Sequence, residues 1–239
     1  MSDKNYSEDY YNWRESPARK SAEIIVPILT KMFPTESVVD IGCAEGTWLK
    51  VFKANGTLDI QGYDGPWLNR EKLIIDENSF NECCLNSFQV DPKMRYDLSV
   101  CLEVAEHLDE SSADNLILQL TNLADRVLFS AAIPGQGGLH HVNEQPPSYW
   151  KEKFNIFGFQ QKDTLRPMIW NDDRIAWWYR QNIFIYEKSQ EPQISKNEGF
   201  EGNYLVHPKA FQEKQDELDI ENASVRNLCY ALLRKIFRY

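Results

Sequence analysis

The 239-residue chain is short of positive charge: 26 Lys and Arg stand against 36 Asp and Glu, for a net charge of −10. A field of that sign repels polyanions at long range, which argues against nucleic acid and anionic membranes as partners. Long apolar runs are missing as well. No stretch approaches the ~18–20 apolar residues of a membrane span, and the polar start MSDKNYSEDYYNWRES has no signal-peptide core, so a soluble, cytoplasmic protein is expected. Cysteine is sparse and odd in number (Cys43, Cys83, Cys84, Cys101 and Cys229) with no C-x-x-C spacing, so neither a disulfide framework nor a zinc knuckle is signalled. Histidine is scarcer still. His107, His140, His141 and His207 are the four side chains that titrate near neutrality without perturbation.

What is present is ordinary for a folded enzyme-sized domain: 42% hydrophobic, 13% aromatic and 26% charged residues. Residues 1–16 are polar and aromatic and suit a leader or a flap over a pocket. From 17 to 32 the positions Ala22, Ile25, Val26 and Leu29 recur at helical spacing, and Pro34 stops the run. SVVDIG (37–42), LDIQGYD (58–64), YDLSVCL (96–102) and RVLFSAAIP (126–134) read as strands, with TWLKVFKA and the segment 109–124 as helices between them. That alternation predicts a doubly wound, mostly parallel α/β sheet. LRPMIW (165–170) and QNIFIY (181–186) read as an antiparallel edge pair. The domain is expected over 17–188. Residues 189–239 form a linker and a helical extension whose stripe Val225, Leu228, Cys229, Leu232, Leu233 and Ile236 suits docking on its own domain, a homodimer or partner contact, or a membrane surface.

The sharpest local signal is VVDIGCAEGTWL (38–49): an apolar strand ends in Asp40, and Gly42 and Gly46 then open a helix. Glycine permits turn angles closed to other residues and lets backbone approach a ligand, while the helix start offers free N–H groups. The next strand ends in Asp64, where a carboxylate can accept hydrogen bonds from both hydroxyls of a ribose. Two strand ends therefore point at one nucleoside.

The blocks DIGCAEGTWL, GYDGPW and SVCLEVAEHL resemble the class I S-adenosylmethionine-dependent methyltransferases over roughly residues 17–187. That resemblance implies a Rossmann-like seven-stranded sheet. It also implies S-adenosyl-L-methionine as methyl donor, with S-adenosyl-L-homocysteine as product. Asp40, Gly42 and Gly46 would shape the loop under the methionine part, Asp64 would hold the ribose, and Leu102 and Glu103 would border the reacting end. Cys84 or Leu85 stands where many members carry an Asp for the adenine. The later run GLHHVNEQPPSYWKEKF, with LRPMIW and WWYRQN, resembles a bacterial subgroup associated with small molecules or surface sugars.

Methyl transfer from a sulfonium needs alignment and, for a hydroxyl, removal of a proton. His141 or His140, in the glycine-rich loop GQGGLHHVNE, is the expected base, with His107 and Glu106 beside it at the ends of the fourth and fifth strands. The reaction expected is O-methylation of a small metabolite, sugar or peptide-derived compound. Glu103, Glu106 and His107 form E-x-x-E-H, which on a helix shares one face. With His141 the set is similar to the metal site of the small-RNA terminal 2′-O-methyltransferases, so a divalent metal acting on a diol or carboxylate is the alternative. A third expectation is a non-catalytic cofactor-binding scaffold. The aromatic run Tyr149–Tyr179 suits core or sugar stacking, and Arg166 and Arg180 suit an anionic group or solvent.

Overall fold

The computed structural model describes residues 8–91, 93–189 and 205–218. The chain divides into two units, 1–204 and 205–239. In the first, the strands are β1 (Ser37–Ile41), β2 (Asp59–Asp64), β3 (Phe80–Glu82), β4 (Leu98–Leu102), β5 (Arg126–Ser130), β6 (Phe159–Lys162) and β7 (Phe184–Lys188). They form one seven-stranded sheet in the order β3-β2-β1-β4-β5-β7-β6. The first five are parallel, and β7 enters antiparallel between β5 and β6. The reversal of strand order between β1 and β4 is the switch point where open α/β sheets bind ligands.

Successive strand residues face opposite sides of the sheet, and β1 shows it directly. Val38 packs into a layer with Ala22, Ile25, Val26 and Leu29 of α1 (Glu8–Met32) and Leu49 and Phe52 of α2 (Thr47–Ala54). Val39 packs into the opposite layer, with Leu116, Ile117 and Leu120 of α3 (Ala113–Leu123) and Trp150 and Phe154 of α4 (Pro147–Ile156). Truncating a fully buried anchor such as Phe52 to Ala should cost about 3–5 kcal/mol.

Three expectations need amendment. The first helix begins at Glu8, so the backbone of half the expected leader is helical. The edge pair is β6 with β7, and LRPMIW is no strand: it forms the short helix α5 (Arg166–Ile169), followed by α6 (Trp177–Asn182). Pro167 lies in the first turn of α5, where a missing N–H costs nothing, whereas a ladder position would lose a bond. The 109–124 helix starts late, at Ala113, after a 3₁₀ turn over Glu110–Ser112.

In the second unit, α7 (Pro208–Leu218) starts just after His207, whose Nδ1 accepts the Lys209 N–H at 3.2 Å in the manner of a cap. The apolar stripe Val225–Ile236, and with it the homodimer expectation, lies outside the described residues. Among the described residues no helix is long and apolar enough to cross a membrane.

Candidate active site

The turn after β1 is built on left-handed backbone: Gly42 has φ 84°, Ala44 48° and Gly46 90°. A Cβ on Gly42 would lie 2.3 Å from a Val104 methyl, and one on Gly46 would lie 2.8 Å from Ile75, so the loop is as close to its neighbours as glycine allows. Gly46 caps α2 without a side-chain hydrogen bond, and the first turn of α2 carries no acid, which leaves its N–H groups to a ligand. Asp64 closes the same turn from the end of β2. Its Oδ2 accepts the Ala44 N–H at 2.7 Å and its Oδ1 the Gly65 N–H at 2.6 Å. Burial raises the Asp64 pKa, while bonds from these amides and from the Trp67 side chain pull it down. Asp40 is buried (3% exposed), and burial plus the nearby Asp64 charge pushes its carboxyl to about 8. The left-handed turn with an acid at its side fits an adenosyl cofactor with a methionine tail: N–H groups without a side-chain cap at the start of α2, and lone pairs at Asp64 for a ribose.

Leu102 and Glu103 leave β4 toward this turn, but the E-x-x-E-H run is not a helix. Glu103 is left-handed (φ 55°), and Ala105–His107 is a single 3₁₀ turn. The three side chains therefore part. The Glu103 carboxylate accepts from Asn182 Nδ2 at 3.2 Å and Gln136 Nε2 at 3.4 Å, within a buried amide network that includes Gln181. Glu106 and His107 turn instead to His141: the ligand atoms of these three lie within 4.8 Å of one another. The Glu106 side chain is 0% exposed, and the His107 and His141 rings meet edge to face at 4.8 Å.

The loop after β5 is fastened to this turn. Val142 and Asn143 N–H groups both donate to the Glu106 carbonyl, at 2.9 and 3.0 Å. His141 Nδ1 bonds Glu144 Oε1 at 2.8 Å, whereas its Nε2 is buried and makes no hydrogen bond among the described residues. His140, left-handed at φ 61°, is not a member of the group. Opposite ligands of an ion with ~2.1 Å bonds stand ~4.2 Å apart, so the donor set and its spread suit a divalent ion after small adjustment.

Other candidates are used structurally. Arg166 bonds the Asp163 carboxylate and the Gln181 carbonyl and lies 4.0 Å over the Phe184 ring. Arg180 bonds the Trp170 carbonyl and Asp173. Both are buried and paired within the chain, which sets aside solvation as their role. Trp150 packs on Phe129 in the core. Burial raises the Cys43 and Cys101 thiols well above their ordinary value and pushes Cys83 to about 12, so none of these three is a thiolate nucleophile.

A seven-stranded, doubly wound sheet with a switch point between β1 and β4 and an antiparallel last pair has the architecture of the class I S-adenosylmethionine-dependent methyltransferases. The chain belongs to the family described as Methyltransferase domain, which matches residues 13–160. No curated protein matches the sequence. Solved structures share the fold at low identity. Magnesium protoporphyrin IX methyltransferase from Synechocystis PCC 6803, with bound SAH, is 17% identical, with 79% of this chain and 90% of that chain covered and a TM-score of 0.52. The methyltransferase domain of bacterial CtHen1 is 18% identical, with 72% and 98% covered and a TM-score of 0.52. An O-methyltransferase-like protein from Nostoc punctiforme PCC 73102 is 13% identical, with 72% and 57% covered and a TM-score of 0.54.

Proposed function

We propose that the chain transfers the methyl group of S-adenosylmethionine to a hydroxyl of a small metabolite, sugar or peptide-derived acceptor. The observation that carries this reading is the state of His141: Nδ1 is tied to Glu144, and Nε2 is buried with its hydrogen-bonding capacity unused. In that state Nε2 can take the hydroxyl proton as the oxygen–carbon bond forms and the sulfonium–carbon bond breaks. The sulfonium supplies the electrophile. The chain's own residues bind and orient: the Gly42–Gly46 turn takes the methionine part, Asp64 the ribose, and Leu102 and Glu103 border the reacting end. Calorimetry with SAH, followed by turnover of labelled cofactor on a panel of hydroxylated acceptors, tests the proposal. Label in an O-methyl group, strongly reduced in His141→Gln, is expected. Absence of SAH binding would overturn it.

A second reading draws on the convergence of Glu106, His107 and His141. A divalent ion there would hold vicinal hydroxyls or a carboxylate and lower the pKa of the reacting group. The two readings compete for one lone pair, Nε2 of His141. Loss of turnover on chelation, restored by Mg²⁺ or Mn²⁺, selects the metal; turnover that survives exhaustive chelation selects the base.

A further inference from the structure

Glu144 closes the run GQGGLHHVNE without a role suggested by the sequence, yet its carboxylate is among the most firmly held groups in the loop. Oε2 accepts the Gly135 N–H at 2.8 Å and Oε1 the Gly137 N–H at 2.6 Å. Both glycines are left-handed, at φ 82° and 72°, so the backbone forms an anion-holding concavity that the chain fills with its own carboxylate. The remaining capacity of Oε1 goes to His141 Nδ1 at 2.8 Å. The imidazole is confined from the other side as well: a Cβ on Gly138 would lie 2.3 Å from His141 Nε2. The side chains of His141 and Glu144 are 5% and 19% exposed, so water competes little for the bond.

An ionised carboxylate only accepts, so the neutral imidazole facing it carries its proton on Nδ1 and keeps its lone pair on Nε2. We propose that Glu144 is the positioning residue of this site, holding His141 in the Nδ1–H tautomer, with its lone pair on Nε2, inside the group it forms with Glu106 and His107. This inference rests on the reading of His141 as base or metal ligand and serves both forms of it. A group that fixes tautomer and ring orientation typically contributes about 10–100-fold in activity or metal affinity.

The test uses the full chain and its Glu144→Ala and Glu144→Gln variants. Imidazole ¹⁵N shifts, assigned with His141→Gln, report the tautomer of the neutral ring; SAH calorimetry and turnover are measured in parallel. In Glu144→Ala the Nδ1–H tautomer should give way to Nε2–H, kcat should fall about 10–100-fold, and SAH affinity should hold. In Glu144→Gln the side-chain carbonyl still accepts from Nδ1, so the tautomer and most of kcat should return although the Gly135 bond is lost. An unchanged tautomer in Glu144→Ala, or equal kcat losses in both variants, would overturn the inference. If the chain proves to transfer no methyl group, the ¹⁵N result still decides the role of Glu144.

Discussion

Replacing Asp40 by Asn should flatten the pH dependence of stability. Asp40 has an ordinary pKa of 3.8, and burial together with the Asp64 charge pushes it to about 8 in the folded chain. The folded state thus binds this proton more tightly than the unfolded state. The stabilisation is complete below about 3.8 and is lost as pH rises through about 8. At ~1.4 kcal/mol per pKa unit, the gap sets a ceiling of about 6 kcal/mol, and relaxation around a buried charge reduces the expected loss to about 2–4 kcal/mol. Asn keeps the shape and carries no titrating proton. About 1.6 kcal/mol of that loss falls between 3.8 and pH 5, so urea denaturation at pH 5, 6.5 and 8.5 should show the wild type losing about 1–2 kcal/mol more than Asp40→Asn across that range. The variant should be the more stable protein at pH 8.5. Parallel stability curves for the two proteins would refute the reasoning, because every other titrating group is common to both.

Asp64→Ala should weaken SAH binding about 10–100-fold in calorimetry, the loss of hydrogen bonds to a charged acceptor; an unchanged Kd in a folded variant would remove Asp64 from the ribose. Gly42→Ala should cost about 2–4 kcal/mol, combining left-handed strain with the 2.3 Å approach to Val104. Val104→Ala in that background should return about 1–2 kcal/mol, and strict additivity in the double-mutant cycle would show that no collision exists. Gly138→Ala presses on the His141 ring and should lower kcat about tenfold or more at constant SAH affinity; full activity would mean that the ring position is unimportant.

β1, β4 and β5 were legible because they are short, largely apolar runs buried along most of their length, whereas β2, DIQGYD with Asp59 exposed, was marked chiefly by the Gly65-Pro66 stop after it. β6 was not legible. Its FQQK has one fully buried side chain, Phe159, and the strand exists through pairing with β7 at the sheet edge. LRPMIW looked like a strand by composition, yet a proline in the first turn favours a helix there. Asp40, Gly42, Gly46 and Asp64, which the structure gathers at one turn, were legible because each marks a strand end or a turn, which sequence order preserves. Glu144 was missed because an acid in a surface loop ordinarily reads as solvated. Two left-handed glycines make it a fixed acceptor, and the GQGG run was the available signal.

The fate of E-x-x-E-H shows why spacing alone misassigned a partner. Residues three and four apart share a face only while the backbone stays helical, and φ 55° at Glu103 ends that condition at the first member. The turn then does two things at once. It gives Glu103 to the amides of α6 and the β5 loop, and it gives Glu106 and His107 to His141. One carboxylate is spent on ordering the floor of the site while the other stays with the imidazoles. A metal held here would therefore have three protein donors in place of four, leaving more positions for acceptor oxygens. A metal-free enzyme would keep the same geometry and use the Nε2 lone pair directly. The position of His141 is thus common to both chemistries, and its tautomer is the property on which either depends.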